Sequence, residues 1–194
     1  MTSTAAVREP TAPAPASLQD AAERAAAPVL EVRGLSVTFS TEAGSLSAVD
    51  GVDLTLAAGE IVGIVGESGC GKSVTAMSLA GLLPRSAQVS GSVKLLGQEM
   101  IGASPADLRA ARGRDIAYIF QEPMSSLNPV LTVGRQIGEV LQVHEGLSRR
   151  RARARAIELL ALVGIPSPAQ RVDNYPHQLS GGMRQRVMIA MAVA

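Results

Sequence analysis

Residues 66–73 read Gly66, Glu67, Ser68, Gly69, Cys70, Gly71, Lys72, Ser73, closing the run EIVGIVG (60–66) and opening a helix-compatible stretch from Ser73 to Leu83 that Pro84 stops. The pattern G-x-x-x-x-G-K-[ST] between a strand and a helix constrains the fold more than any other feature of the chain. Its glycines let successive backbone N–H groups converge on phosphate oxygens, and the helix N-terminus adds partial positive charge. Lys72 is placed to reach terminal phosphates, and the Ser73 hydroxyl can ligate Mg²⁺. The bland alternative is a glycine turn that merely joins strand to helix. With Gly at about 7% of ordinary sequence, a chance match to the four fixed positions is on the order of 1% or less. Lysine usage sharpens the point: of 18 basic residues only Lys72 and Lys94 are lysines, and one of the two falls where the loop needs it. EIVGIVG is nearly continuous in Ile and Val, as expected of a strand covered on both faces in a parallel sheet.

The remaining elements follow from periodicity and punctuation. VLEVRGLSVTFS (29–40) and VDGVDLTL (49–56) alternate apolar and polar residues about the Gly44 turn, which predicts two half-exposed antiparallel strands. VSGSVKLLG (89–97) is strand-like. Ser104 and Pro105 cap a short helix ending near Gly113, and DIAYIF (115–120) reads as a second buried strand. Helices are expected over Thr132 to His144, over Ser148 to Val163 with Gly164 as the stop, and from Ser180 onward. The first 28 residues, rich in Ala, Pro, Ser and Thr, read as a disordered tail, and no apolar stretch within them suits a signal peptide.

Composition then excludes several classes. In 194 residues, 18 basic side chains nearly balance 17 acidic ones, so there is no global field of the kind that holds nucleic acid or an anionic membrane. Four aromatic rings (Phe39, Tyr118, Phe120, Tyr175) are too few for a base-stacking platform. One cysteine, Cys70, cannot form an internal disulfide. No apolar run approaches the roughly 18 to 20 residues of a membrane span, which leaves only a peripheral membrane role.

Three stretches together go further: GESGCGKS at 66–73, FQEPMSSLNPVLTVGRQIGE at 120–139, and YPHQLSGGMRQRVMIAMA at 175–192. Over residues 30–194 the chain resembles the ATP-binding cassette (ABC) ATPases, and among them the dipeptide, oligopeptide and nickel importer group. LSGGMRQR is the most specific piece. The resemblance implies an α/β P-loop core with an antiparallel β-subdomain near 29–60 and a helical subdomain near 121–178, following the tail of residues 1–28. It implies that Phe39 stacks on adenine, although Phe39 also reads as one more half-buried strand residue. It makes Gln121 the glutamine that senses Mg²⁺ and the γ-phosphate and relays to membrane subunits. It makes Ser180, Gly181 and Gly182 a second anion site facing the γ-phosphate held by another subunit, where a plain Ser-Gly-Gly helix cap is the alternative. Met183 departs from the commoner Gln after the glycines but is typical of the peptide-importer branch.

The implied activity is ATP hydrolysis that energises import of peptides or similar small solutes, with ATP and Mg²⁺ as cofactors. The implied partners are transmembrane permease subunits, a second ATP-binding subunit and, indirectly, a solute-binding protein, with no nucleic acid. The implied location is peripheral, at the cytoplasmic face of the plasma membrane. In the family, a buried strand ending in Asp-Glu and a switch histidine follow the signature helix. Neither lies before Ala194, so the 194-residue chain is expected to be truncated, to bind ATP weakly or not at all and to have no significant turnover. A non-catalytic fragment, or a soluble ABC ATPase acting on nucleic acid or ribosomes, are the competing readings.

Four further features have plain explanations. Arg149, Arg150, Arg151, Arg153 and Arg155 open a helix whose apolar positions include Ile157, Leu160 and Val163, and so read as a solvated face rather than a nucleic-acid patch. His144 and His177 lack neighbours at metal spacing. Met183, Met188 and Met191 read as core filler. Cys70 sits near a helix N-terminus and Lys72, a setting that favours thiolate, so its alkylation is expected to block nucleotide binding.

Overall fold

The computed structural model describes residues 28–42, 44–120 and 126–194, which fall into two compact units. The first unit holds residues up to Leu79 together with Leu83–Ile101, and the second holds Ala80–Leu82 together with Gly102–Ala194. The expected tail, apart from Pro28, lies outside the described residues.

The first unit is built on a four-stranded antiparallel sheet. Strands β1 (Leu30–Thr41), β2 (Gly44–Leu56), β3 (Ala87–Leu95) and β4 (Gln98–Glu99) stand in the order β2-β1-β3-β4. The β1–β2 register runs from Leu30 opposite Leu56 to Thr41 opposite Gly44, so β2 begins five residues before the predicted Val49. Period-two burial along β1 shifts phase once: Leu30 and Val32 are buried, then Leu35 and Val37. The shift falls at Arg33–Gly34, where the ladders to both neighbours slip. Asp53 of β2 fixes this bulge by accepting the Gly34 N–H at 2.7 Å. Opposite it, Gly91 of β3 has a φ of +100°, and a Cβ there would stand 2.6 Å from the carbonyl oxygens of Arg33 and Gly34. Only glycine lets β3 approach this closely. Helix α1 (Lys72–Leu79) follows the glycine-rich loop and ends before Ala80, earlier than the predicted Leu83.

The second unit is helical: α2 (Pro105–Ala111), α3 (Val133–Glu145), α4 (Arg149–Leu162), the short α5 (Pro168–Arg171), a 3-10 turn at Pro176–Gln178, and α6 (Gly181–Ala192). Four helices start on a hydroxyl that accepts the third N–H of the helix: Ser104 from Asp107, Thr132 from Arg135, Ser148 from Arg151, and Ser180 from Met183. Ile137 and Leu141 of α3, Leu159 and Leu160 of α4, Val172 and Val187 form a common core with no exposed surface beyond 1%. Met188 is buried in it, and Met183 and Met191 pack on its margin, in the filler role expected of all three. Arg149, Arg150, Arg151, Arg153 and Arg155 are all exposed while Leu160 is buried, the amphipathic division the sequence pattern suggested for α4. His144 is exposed, and His177 stacks on Tyr175 with ring centroids 5.6 Å apart.

Two expected strands are not formed. EIVGIVG is extended chain, with Ile61 97% and Val65 94% exposed, and DIAYIF makes a single parallel bridge, Arg112 to Ile116. A parallel strand draws all its ladder bonds from neighbours. Among the described residues neither segment has a strand beside it. The preference of Ile and Val for extended backbone is too weak alone to compensate.

Candidate functional site

The loop from Gly66 to Ser73 is held by its own atoms. Cys70 N–H donates to the Glu67 carbonyl at 3.3 Å, and Thr75 N–H donates to the Gly71 carbonyl at 2.8 Å, which starts α1. Gly71 has a φ of +90°, and a Cβ there would stand 2.4 Å from the Ala48 carbonyl of β2. The loop is therefore seated directly on the sheet, at a spot only glycine fits. A Cβ at Gly66 would fall 2.5 Å from Cys70 Sγ, so that glycine keeps the turn closed.

Among the described residues, the N–H groups of Gly69, Gly71, Lys72 and Ser73 donate to no protein acceptor. Four undirected donors at a helix start form a cradle for an anion. Lys72 Nζ lies inside the same loop, 2.8 Å from the Gly66 carbonyl and 2.6 Å from the Glu67 carbonyl, with Cys70 Sγ at 3.5 Å. Its charge is thereby held at the loop rather than trailing in solvent. Ser73 is exposed at the second helical position, with its hydroxyl accessible to a cation. The donor set, the tethered ammonium and the glycines whose Cβ atoms would close the loop together fit a nucleotide's phosphates. Among the described residues, no group of three or more His, Cys, Asp or Glu side chains could hold a metal ion by itself.

Phe39 is half-buried on β1, paired with Leu46 of β2 and Ala87 of β3. In the second unit, Ser180, Gly181 and Gly182 are exposed at the start of α6. Ser180 Oγ accepts the Met183 N–H at 3.3 Å, which leaves its O–H available to donate outward. Gln121 lies outside the described residues.

Sequence reasoning missed two positioning residues of the second unit. Gln136, buried in α3, accepts the Asn128 N–H at 2.9 Å and donates to the carbonyls of Asn128 and Leu131 at 3.0 Å. It thus fixes the turn from Asn128 to Leu131 that leads into α3. Arg112 donates to the carbonyls of Ala80 and Gly81 at 2.8 and 2.6 Å and fixes the chain just beyond α1. The signal for Gln136 was available: a polar residue on the apolar face of α3, where a buried amide must find partners.

The sequence profile described as ABC transporter matches residues 49–194, three quarters of the chain. The chain belongs to the ABC transporter family. A relative in Brucella abortus (strain 2308), named as a candidate peptide import ATP-binding protein, is 55% identical over 169 residues, covering 87% of this chain and 51% of that protein. The dipeptide transport ATP-binding protein DppD of Bacillus subtilis (strain 168) is 51% identical, covering 85% of this chain and 50% of its own length. The chain thus spans about half the length of these curated relatives. Among solved structures, the dimeric bacterial ABC transporter cassette MJ0796 superposes with a TM-score of 0.75 at 27% identity, covering 85% of this chain and 69% of that one. The same cassette, in a post-hydrolysis state bound to ADP and Pi, superposes with the same score. The fold is accordingly that of an ABC ATPase, as the three sequence motifs implied.

Proposed function

We propose that this chain is part of an ATP-binding subunit that energises an ABC importer for peptides or similar small solutes. The observation that carries the reading is the anion cradle of residues 66–73, in a chain 55% identical to a protein named for peptide import and 51% identical to one named for dipeptide transport. The N–H groups of Gly69, Gly71, Lys72 and Ser73 bind phosphate oxygens, and Lys72 supplies the neutralising charge. Ser73, with Gln121, holds Mg²⁺, which when bound neutralises charge on the terminal phosphates. Phe39 stacks on the adenine. Ser180, Gly181 and Gly182 offer a second set of donors to the γ-phosphate held by a second subunit, the dimeric arrangement named for the MJ0796 cassette.

The cassette in this reading spans residues 29–194, with its helical portion near 121–178. It works peripherally at the cytoplasmic face of the membrane, against permease subunits that receive peptide from a solute-binding protein. Among the described residues no helix is long and apolar enough to cross a membrane.

The affinity expected of these 194 residues alone is weak, so the test is titration with MgATP up to high ligand concentration, followed by backbone-amide NMR and run beside Lys72→Ala. Removing the ammonium deletes charge-assisted bonds of about 1.5 to 3 kcal/mol, so affinity should fall roughly 10- to 100-fold. Equal affinity in both proteins would refute the assignment of the loop. Uptake of a labelled oligopeptide by host cells lacking the gene should return with the wild-type gene and not with the Lys72→Ala allele.

A further inference from the structure

The arginine run that opens α4 does more than face solvent. Between α3 and α4 lies a depression of about 310 Å³, walled by Arg135, Arg149, Arg153, Thr132, Gln142 and Asp173 over a floor of glycine and alanine. It shares no residue with positions 66–73 or 180–182. Its one carboxylate is already engaged: both oxygens of Asp173 accept from Arg153, at 2.6 and 2.8 Å. Among the described residues, Arg135 and Arg149 pair with no carboxylate. Three guanidiniums and one carboxylate therefore leave the walls with two uncompensated positive charges.

The start of α4 adds to the imbalance. A helix N-terminus is a positive pole that favours Asp or Glu in its first turn, yet this turn carries Arg149, Arg150 and Arg151 and no acid. A local conflict of that kind, kept beside a cavity, points to something outside the chain that resolves it. The volume is roughly ten times the 30 Å³ share of one water molecule, room for a tetrahedral anion and its remaining hydration. Guanidinium forks match the oxygens of such an anion in pairs. Thr132 caps α3 by accepting the Arg135 N–H at 3.3 Å, so its own O–H is free to donate into the same space.

We propose that this depression binds a phosphoryl group carrying two negative charges, through Arg135 and Arg149 with Arg153 as the third cation. Either a soluble phosphorylated molecule or the headgroup of an anionic lipid presents that chemistry.

The experiment is NMR of the full chain, following backbone amides and arginine Nε–H groups during titration with inorganic phosphate, against sodium chloride at matched ionic strength. Saturable shifts are expected at Arg135 and Arg149. The double variant Arg135→Gln/Arg149→Gln should bind about tenfold more weakly or worse, the loss of charge-assisted bonds, while shifts at Lys72 remain. Arg150→Gln, outside the depression, should leave the affinity unchanged. A parallel flotation assay uses phosphatidylcholine vesicles with and without phosphatidic acid. Flotation that needs phosphatidic acid and is lost in the double variant assigns the site to a lipid headgroup, and phosphate shifts without flotation assign it to a soluble ligand. Shifts reproduced by chloride, shifts unchanged in the double variant, or an Arg150→Gln effect as large as that of the double variant would each overturn the proposal.

Discussion

Gly134 and Gly138 sit one turn apart on α3, and alanine should act on them with opposite sign. A Cβ at Gly134 would stand 2.2 Å from Val172 Cγ2 and 2.6 Å from the Val172 carbonyl oxygen, both well inside contact distance. Val172 has no exposed surface and cannot swing away, and the Gly134 N–H donates to that same carbonyl at 2.9 Å. Relieving the overlap must move the backbone. That strains this bond and its neighbour, Val133 N–H to the Asn174 carbonyl at 2.9 Å. Overpacking costs about 1 to 3 kcal/mol, and each weakened hydrogen bond adds about 0.5 to 1.5 kcal/mol. Higher helix propensity returns at most about 1 kcal/mol. The clash wins, and Gly134→Ala should destabilise the helical unit by about 2 to 4 kcal/mol. At Gly138 the nearest atoms to the new methyl are Ala152 Cβ at 3.8 Å and Gln142 Nε2 at 3.9 Å, ordinary contacts. There only the propensity term remains, and Gly138→Ala should stabilise by about 0.5 to 1 kcal/mol. Thermal unfolding followed by far-ultraviolet circular dichroism would separate the two variants by on the order of 10 °C for a unit of this size. Two variants that melt together, or a Gly134→Ala protein as stable as the parent, would refute the packing argument.

Leu160→Ala deletes a side chain with no exposed surface from the same core and should cost about 3 to 5 kcal/mol in urea unfolding. In the loop, Gly71→Ala meets both a φ of +90° and the Ala48 carbonyl, whereas Gly69→Ala at φ +85° meets nothing within 4 Å. Titration with MgATP should therefore show the larger loss of affinity for the first. For Glu99, burial pushes the carboxyl up, but the Ser92 hydroxyl and the N–H groups of Val93, Ile101 and Met100 outweigh it and hold the group below the ordinary 4.5. The lowered value means that its contribution to stability is present above about pH 4.5 and is lost as pH falls through the folded value. Chemical-denaturation curves from pH 7 to 3 should show a small acid loss that Glu99→Gln removes.

What the sequence made legible was local chemistry. Ser104, Thr132, Ser148 and Ser180 could be read as helix starts because a cap acts within three residues of itself. The glycine-rich loop of residues 66–73 was legible for the same reason, since its glycines, lysine and serine are contiguous. What escaped depends on partners distant along the chain. Residues 60–66 and 115–120 have the composition of buried strands, but pairing decides whether they form, and composition carries no information about pairing. The bulge at Gly34 depends on Asp53 and Gly91, 19 and 57 positions away. Gln136 is the local exception: its partners Asn128 and Leu131 lie 8 and 5 residues away, but they sit in an irregular turn that no periodic pattern marks.

The bare backbone of residues 60–66 has a consequence for the loop that follows it. One flank of that loop is anchored in α1, while the other continues into a segment whose Ile61 and Val65 are almost wholly exposed. Any strand that pairs with this segment would remove apolar surface from water and restrict the loop's entry in the same event. Pairing and anion binding are therefore linked equilibria. A ligand that favours the restricted loop must favour pairing by the same factor by which pairing raises its affinity. The affinity of this loop for an anion thus doubles as a gauge of whether residues 60–66 are paired.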